Sequence, residues 1–305
     1  MEELTLLILG AGWTSTFLIP LLQSRNIAFA ATTTSGHPVA GVPTLPFKFD
    51  SSAPSPETRA AIAALPRARY ILITFPLTGS GPSKLLVETY SETHLTTAAN
   101  PTTNPFRFIQ LGSTGIWQQP SAAATTDPNT ASQINPNPWI TRHTPPTLPL
   151  SPRSHAENEL LALGGCVLNL AGLWGGSRVP RNWAARVAST KEAVRGKASL
   201  HLIHGEDVAR LVVAVVLSEE GVWEAQGRGQ RWMVTDGFVY DWWALLAGWV
   251  DGEESAAERA KWVWELMGEV GVRALPRGME VLGRCYDSRE LWQAWGLVPV
   301  KGRVE

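Results

Sequence analysis

The sequence predicts an α/β protein built on a doubly wound parallel sheet, with a smaller, mostly helical region at the C-terminal end. Short apolar runs are typical of strands buried on both faces, and they recur through the first two thirds of the chain. Most of them are separated by stretches long enough for a helix, which indicates repeated strand–helix–strand units. The predicted strands cover residues 4–9, 27–31, 70–75, 106–111, 166–170 and 200–203.

The charge and cysteine content disfavour several classes of protein. The chain has 305 residues, with 26 basic and 27 acidic side chains and a formal net charge of −1. Such a chain has no field to attract nucleic acid or anionic lipid, so neither is expected as a partner. Its two cysteines, Cys166 and Cys285, belong to no disulfide or zinc-binding pattern, which favours a reducing compartment such as the cytoplasm.

Residues 4–24 carry no charge and are long enough to raise the question of a membrane span. Gly10, Gly12 and Pro20 interrupt this stretch, and Glu2 and Glu3 lie where a signal peptide would carry lysine or arginine. Neither a membrane span nor a signal peptide is therefore expected.

The chain is expected to form two structural regions, residues 1–217 with the sheet and residues 218–305 as a Trp-rich cap. Eleven of the 14 tryptophans lie after residue 150, and helical patterns cover residues 240–250, 253–270 and 288–295. Residues 174–199 are expected to contribute to the substrate region. The tryptophans recur at helical spacing, which favours core packing over a stacking platform for a ligand.

A proline-rich segment interrupts the alternation of strands and helices. Residues 118–152 contain eight prolines and hardly any charged side chains. A helix cannot continue through prolines at that density. Long segments without regular structure inside a domain are usually functional, so this one is predicted to be a lid-like loop.

A glycine-rich turn follows the first predicted strand. Gly10, Gly12, Trp13, Thr14 and Ser15 give the pattern Gly-x-Gly-x-x-Ser ahead of a helical stretch. In such turns the first glycine allows the tight bend, the second lets a diphosphate approach the backbone, and a small third residue lets helix and strand pack closely. The free amides and the dipole at the helix start favour phosphate. The turn predicts a dinucleotide site, and the alternative is a turn with a purely structural role.

The end of the second strand bears on the choice of dinucleotide. An acidic residue about 20 positions after the glycines would bind the ribose of NAD. The segment here contains Thr33, Thr34, Ser35 and His37 and no carboxylate. These side chains could meet a 2′-phosphate, so NADP is favoured over NAD.

Three further segments carry motifs. Residues 111–117 are Leu-Gly-Ser-Thr-Gly-Ile-Trp, residues 168–178 are Leu-Asn-Leu-Ala-Gly-Leu-Trp-Gly-Gly-Ser-Arg, and residues 202–209 are Leu-Ile-His-Gly-Glu-Asp-Val-Ala. Taken in order with the glycine turn, they resemble the extended short-chain dehydrogenase/reductase superfamily, in particular its atypical NAD-dependent epimerase/dehydratase-like members. The resemblance implies that residues 1–217 form an NAD(P)-binding Rossmann domain that acts on a small-molecule substrate.

The resemblance also implies roles for particular residues. Ser113 matches the catalytic serine of the family. Asp50 occupies the place of an aspartate that meets the adenine, and Leu173 lies in the stretch that borders nicotinamide and substrate. Phe75 and Pro76 end the strand that passes under the cofactor.

One part of the family pattern is missing. The family transfers its proton through the tyrosine of a Tyr-x-x-x-Lys motif, in which the lysine lowers the pKa of the tyrosine. The chain has four tyrosines, Tyr70, Tyr90, Tyr240 and Tyr286, and none of them begins such a motif. A serine without a basic partner only donates hydrogen bonds, so the catalytic serine is expected to orient a carbonyl or hydroxyl.

The helix that would carry the motif can be aligned in two ways. One alignment puts Ser151 and His155 at the two motif positions, and the other puts Pro149 and Arg153 there. His155 is the best replacement acid/base, because an imidazole titrates at about pH 6.5, although a solvated residue at a helix start is the alternative. Arg153 and Glu157 are expected to form an ion pair on the helix surface.

Other constellations do not indicate a site. His201 and His204 lie three apart on a predicted strand and so face opposite sides, which disfavours a metal site. Asp207 is predicted to be the N-cap of the helix that follows. No serine lies in a Gly-x-Ser-x-Gly turn, so a hydrolase triad has no local signature.

Two functions stay open on the sequence. The first is a reductase, dehydrogenase or epimerase that uses a nicotinamide cofactor on a small metabolite. The second is a binding module that keeps the NADP(H) site without catalysis. The lid-like loop and the Trp-rich cap favour the first, and the missing Tyr-x-x-x-Lys motif favours the second.

Overall fold

The computed structural model describes residues 4–50, 55–95, 104–118, 138–250, 252, 254–302 and 304. The strands are β1 (Leu4–Leu9), β2 (Phe29–Thr33), β3 (Leu45–Pro46), β4 (Ala68–Ile73), β5 (Arg107–Ser113), β6 (Trp139–Ile140), β7 (Cys166–Leu170), β8 (Gly172–Trp174), β9 (Ser199–Leu200), β10 (Leu202–His204), β11 (Arg231–Val234), β12 (Tyr240–Asp241) and β13 (Cys285–Tyr286). The helices are α1 (Ser15–Ser24), α2 (Pro56–Ala63), α3 (Pro82–His94), α4 (Pro152–Ala162), α5 (Ala184–Val187), α6 (Lys191–Arg195), α7 (Gly205–Val216), α8 (Glu220–Val222), α9 (Trp242–Gly248), α10 (Glu254–Val270), α11 (Met279–Leu282) and α12 (Arg289–Ala294). Two short 3₁₀ helices cover Thr114–Trp117 and Pro180–Trp183, and a π-helical turn covers Trp223–Gly227.

The central sheet has seven strands in the order β11-β7-β5-β4-β1-β2-β3, and every pair of neighbours is parallel. The chain leaves β1 toward β2 and β3 on one side and later returns to β4 and β5 on the other. The order therefore reverses between β1 and β4, which is where ligands bind in open α/β sheets. The prediction of a doubly wound parallel sheet is confirmed.

Both faces of the sheet are covered, which explains why its central strands are uniformly apolar. Alternate residues of β1 face opposite sides: Leu6 and Ile8 belong to the core under α1 and α7, and Leu7 and Leu9 belong to the core under α2 and α3. All four are fully buried. This burial fixes the register of β1 and thereby places the turn that follows it at the switch point.

The predicted strand at residues 200–203 is wrong as a strand of the main sheet. The segment divides into β9 and β10, which pair with β12 and β8 in two small separate sheets. The seventh strand of the main sheet is β11, which lies beyond the domain boundary predicted at residue 217. An apolar run indicates a buried strand but does not specify its partner, because pairing is set by distant residues.

The C-terminal region is mostly helical, as predicted, and α9 and α10 cover an apolar core that also includes Ala184, Ala188, Val194 and Leu202. Most of its tryptophans are buried, which confirms the core-packing interpretation, whereas Trp264 is 65% exposed. Asp241 caps α9 through the Trp243 amide and also forms a buried ion pair with Arg277 at 2.6 Å. This pair joins α9 to the segment before α11.

Asp207 does not cap α7, contrary to the prediction. The N-cap is His204, whose Nδ1 accepts the amide hydrogen of Glu206 at 3.1 Å. Asp207 is fully buried in the first turn and accepts the amides of Val300 and Lys301 at 2.9 and 3.0 Å. Its carboxylate therefore fastens the C-terminal tail to the start of α7.

Much of the predicted lid-like loop, residues 119–137, lies outside the described residues. The part that follows is not structureless: β6 pairs in parallel with β13, and Pro152 begins α4. Arg142 joins the same part of the chain to Glu290 and to Gln230. Residues 138–152 are thus packed against the C-terminal region and the start of β11.

Within the described ranges, no helix combines the length and apolarity needed to cross a membrane. The same ranges contain no group of three or more histidine, cysteine or acidic side chains that could hold a metal ion. Cys166 and Cys285 are both buried and not bonded to each other.

The packing of α7 against α1 can be tested at Gly205. A Cβ at this position would lie 2.3 Å from the ring of Phe17, so Gly205→Ala must displace a packed aromatic side chain. We expect the free energy of unfolding to fall by about 1–3 kcal/mol in denaturant titrations. Gly268→Ala in α10 is the control, because a Cβ there meets nothing within 4 Å. It should leave stability unchanged or raise it by up to about 1 kcal/mol, and equal losses in both variants would contradict the packing.

Candidate functional site

The turn after β1 is held in place by the two neighbouring strands. The Gly10 amide donates to Thr32 Oγ1 at 3.0 Å, and the Ala11 amide donates to the Thr32 carbonyl at 2.6 Å. On the other side the Thr74 hydroxyl lies against the carbonyl of Gly10. Gly10 has φ of +84°, and a Cβ there would lie 2.9 Å from the Phe75 ring. The fold itself therefore requires glycine at position 10.

Gly12 differs, because the fold does not require glycine there. Its φ is outside the left-handed region, and a Cβ added to it would approach the Gly10 carbonyl oxygen no closer than 3.8 Å. The residue is exposed. A side chain at position 12 would thus be tolerated by the chain and would occupy only the space outside it. This is the space that a closely approaching ligand would need.

Three backbone amides at this turn are available to a ligand. Within the described part of the chain, no hydrogen bond uses the N–H groups of Gly12, Trp13 or Thr14. The carbonyls of these residues accept the first bonds of α1, so their amides lie at its positive end. Ser15, the predicted small third residue, is fully buried as α1 begins. The arrangement can bind an anion.

The side chain of Trp13 links the turn to the loop after β8. Its Nε1 donates to the Gly175 carbonyl at 3.2 Å, and its ring contacts Phe17 edge-on at 5.0 Å. The Arg178 guanidinium lies over the same indole, 4.4 Å from the ring centroid. Arg178 forms no ion pair with any described residue. The sequence motif predicts a role for the backbone amide of Trp13 only. It does not predict the hydrogen bond from the Trp13 side chain to Gly175, which is 162 residues away.

The residues predicted to choose between NADP and NAD differ in availability. Thr33 is 3% exposed, and its hydroxyl is already engaged with Thr44 Oγ1 at 2.8 Å and the His37 carbonyl at 3.4 Å. Thr34, the next residue, is exposed. The Ser35 hydroxyl lies 3.1 Å from His37 Nδ1. Of the two threonines, only Thr34 presents a side chain to solvent.

The other predicted cofactor residues follow strands close to the switch point. Phe75 follows β4, is half-buried against the glycine turn and stacks on Phe49 at 6.0 Å. Pro76, which follows β4, and Asp50, which follows β3, are both exposed. Leu173 in β8 packs against the core under α1 and α7. The carboxyl ends of β1, β2, β3 and β4 are neighbours in the sheet, so most of this predicted set surrounds one edge.

Ser113 is the last residue of β5, two strands from β1. Its Oγ accepts the Gly115 amide hydrogen at 3.1 Å and so caps the turn at Thr114–Trp117. With that lone pair used, the hydroxyl hydrogen stays available to donate. Ser113 is partly exposed at the carboxyl edge of the sheet. The geometry permits the orienting role predicted for it.

His155 is exposed on α4, and within the described residues no hydrogen bond joins its ring to Ser113. The residue of α4 that faces the end of β5 is Glu157, which is fully buried. The predicted surface ion pair between Arg153 and Glu157 is therefore wrong, because the helix face that carries Glu157 is turned to the sheet.

Glu157 forms a buried polar network beneath the Ser113 edge. Its Oε2 accepts Asn169 Nδ2 at 2.8 Å and Arg231 Nη2 at 3.3 Å, and Asn169 Nδ2 also donates to the Ser113 carbonyl at 3.1 Å. A Cβ on Gly112 would lie 2.5 Å from Oε1, so only glycine leaves room for the carboxyl. Burial raises the pKa of Glu157, and the hydrogen bond from Asn169 and the charge of Arg231 oppose that rise.

Tyr286 reaches the same edge from the C-terminal region. Its hydroxyl donates to the Thr114 carbonyl at 3.0 Å, and its amide donates to His201 Nε2 at 3.1 Å. Burial lowers the pKa of His201 to about 3, so the ring is neutral and accepts this bond. The hydroxyl of Tyr286 is committed to the backbone. It therefore does not replace the missing family tyrosine.

The chain shares its fold with solved structures described as a putative NAD-dependent epimerase/dehydratase and as UDP-glucose 4-epimerases. No protein-family model and no curated protein matches the sequence. Solved structures match over nearly the whole chain. MoeE5 in complex with UDP-glucuronic acid and NAD has a TM-score of 0.57 at 13% identity, covering 99% of this chain and 95% of that one. The Thermotoga maritima UDP-glucose 4-epimerase with UDP-glucose has a TM-score of 0.54 at 14% identity, covering 97% and 94%.

A third match is the Thermus thermophilus UDP-glucose 4-epimerase in complex with NAD, with a TM-score of 0.54 at 14% identity over 98% of this chain and 94% of that one. At these identities the likeness establishes the architecture. It confirms the fold that the resemblance in sequence implied.

The buried carboxyl of Glu157 makes stability depend on pH. Because the pKa in the folded state lies above the ordinary value of 4.5, the protein is most stable where the group is protonated and loses stability as the pH rises through the folded pKa. Glu157→Gln mimics the protonated form and should remove that loss, so the two proteins should diverge in urea titrations as the pH rises above 4.5. Glu88→Gln, at an exposed ion pair with Lys84, is the control and should follow the wild type. A wild-type curve that rises with pH relative to Glu157→Gln would contradict this.

Proposed function

We propose that the chain binds NADP(H) or NAD(H) at the turn after β1 and acts as an oxidoreductase or epimerase on a small metabolite. The observation that carries the proposal is the contrast between the two glycines. Packing requires glycine at position 10. Gly12, in contrast, has open space beside it, and its amide and the two that follow bind no described residue. A purely structural turn needs the first glycine and gives no reason for the second.

The residues at this edge suit a dinucleotide. The amides of Gly12, Trp13 and Thr14 and the positive end of α1 would hold the diphosphate. Arg178, stacked on Trp13, has no carboxylate partner in the described ranges and would add a positive charge beside it. The bound NAD in several structures of the same fold supports this choice of ligand. When bound, the nicotinamide ring would accept or return a hydride.

We favour NADP over NAD as the cofactor. The end of β2 offers the exposed hydroxyls of Thr34 and Ser35 and no carboxylate, and a carboxylate there would repel a 2′-phosphate. Thr33 is left out of this role because its hydroxyl is bonded internally.

Ser113 would orient the substrate by donating its hydroxyl hydrogen to a carbonyl or hydroxyl oxygen. The Asn169 amide holds the Ser113 carbonyl in place, and the Gly115 amide fixes the direction of Oγ. The proton would be exchanged with His155, with water or with a group of the C-terminal cap, since none of the tyrosines begins a Tyr-x-x-x-Lys motif. The UDP-sugars bound in the similar structures direct the first substrate screen to sugar nucleotides.

A second function follows from the same missing motif. A chain that keeps the dinucleotide site and lacks the family acid/base would bind NADP(H) without turnover and respond to its redox state. Binding of NADPH and NADH by calorimetry, followed by a screen of carbonyl compounds and sugar nucleotides for loss of nicotinamide absorbance, separates the two. Binding with no turnover across a broad panel favours the second function.

Gly12→Val separates the role of the turn in binding from its role in folding. The Cβ of the added side chain meets no atom closer than the Gly10 carbonyl oxygen at 3.8 Å, and the side chain occupies the space a diphosphate needs, so the dissociation constant for NADPH should rise at least about tenfold while the melting temperature changes little. Gly221→Val is the matched control, because a Cβ there meets nothing within 4 Å. Unchanged NADPH affinity in Gly12→Val, measured by calorimetry, would refute the site.

Ser113→Ala tests the orienting role once a turned-over substrate is found. Loss of a donor that acts on the developing charge should lower kcat about a hundredfold, and NADPH affinity should persist because Ser113 lies two strands from the glycine turn. Ser113→Thr keeps a hydroxyl and should recover part of the rate. His155→Ala runs in parallel, and turnover equal to wild type would remove His155 as the proton donor. An undiminished kcat in Ser113→Ala would remove the serine from the mechanism.

A further inference from the structure

A cavity of about 330 Å³ opens past the carboxyl end of β11, and its lining includes no residue of the glycine turn. This volume lies at the lower end of the range of about 300–1,000 Å³ that is typical of small-molecule sites. Three aromatic side chains line it, Trp139, Tyr286 and Trp292, together with the acidic residue Asp236. The rest of the lining combines polar side chains of residues 287–293 with the apolar residues Leu297, Val298 and Pro299.

Asp236 is a buried acid that forms no ion pair with any described lysine, arginine or histidine. It is 3% exposed, and its oxygens accept the Tyr240 hydroxyl at 2.7 Å and the Phe238 amide at 3.0 Å, both neutral donors. Burial raises its pKa to about 6, and the nearby charge of Asp207 acts in the same direction. Buried carboxylates are normally paired, so the described residues leave this one without a counter-ion.

The one guanidinium in the lining is already neutralised. Arg289 donates to both oxygens of Asp287, at 2.9 and 2.6 Å, and its side chain is 83% exposed. The carboxylate of Asp287 thus neutralises the positive charge of Arg289 in the cavity lining. The remaining charge in the lining is that of Asp236, and it is negative.

The aromatic residues supply mainly ring surface, because two of them have their polar groups bonded to the backbone. The indole of Trp292 donates to the Thr235 carbonyl at 3.0 Å, and the Tyr286 hydroxyl is bonded to the Thr114 carbonyl. Trp139 is 47% exposed and lines the cavity, so part of its ring is accessible to a ligand. Aromatic rings around a carboxylate favour a cation with apolar groups, because the ring faces attract positive charge.

We propose that this cavity binds a small organic cation of the alkylammonium class. Asp236 supplies the counter-charge, and the rings of Trp139 and Trp292 contact the alkyl groups. The site is distinct from the dinucleotide site, and its occupation does not depend on whether the chain is an enzyme.

The direct test compares choline with 3,3-dimethylbutan-1-ol, which has the same shape without the charge. Both are titrated into the full chain, with binding followed by calorimetry and by tryptophan fluorescence. Choline should bind saturably in the millimolar range or tighter, and the neutral alcohol should bind at least about tenfold more weakly. No saturable choline binding, or equal affinity for the alcohol, overturns the proposal.

Two variants locate the site. Trp139→Ala should weaken choline at least about fivefold, whereas Trp264→Ala, which removes another exposed tryptophan on α10, should leave the affinity unchanged. Asp236→Asn keeps the size of the side chain and should weaken choline by a similar factor, with melting temperatures measured for all three variants to verify folding. Wild-type affinity in folded Trp139→Ala or Asp236→Asn protein contradicts the assignment.

Discussion

The candidate site depends on how tightly the turn after β1 is held between β2 and β4. Thr32 accepts and fixes two successive amides, and the Phe75 ring closes on the backbone of Gly10 from the other side. These contacts use the hydrogen-bonding groups at the start of the turn and leave the amides that follow, from Gly12 to Thr14, without a partner in the described part of the chain. Preorganised amides of this kind bind an anion without the cost of ordering a loop.

Hydrogen bonds between distant elements also hold the Ser113 edge in place, and the polar groups that form them are buried. Glu157, Asn169 and Arg231 come from α4, β7 and β11, and they meet beneath the end of β5. The hydrogen bonds of this network fix the position of the elements that carry it, although Glu157 Oε1 and Asn169 Oδ1 find no partner among the described residues. The helix α4, where the resemblance in sequence leads one to expect the proton-transfer motif, carries instead the buried acid Glu157 on its sheet-facing side.

The sequence is sufficient for features that depend on local pattern and insufficient for those that depend on which segments meet. The glycine turn and the serine at the end of β5 follow from short motifs between a strand and a helix, and both can be located without the structure. Glu157 is assigned to the surface because helical spacing from Arg153 fits an exposed pair as well as a buried carboxyl, and only packing decides the face. Residues 200–203 have the composition of a central strand, yet β11 takes that place, and Tyr286 reaches Thr114 across 172 residues.

The most direct test of the central claim is the response of individual backbone amides to a dinucleotide. Heteronuclear NMR of the labelled chain, titrated with NADPH, should give its largest shift changes at the Gly12, Trp13 and Thr14 amides, with a smaller change at the Trp13 indole that is bonded to the Gly175 carbonyl. Shift changes confined to other parts of the chain, or none at saturating NADPH, would contradict it.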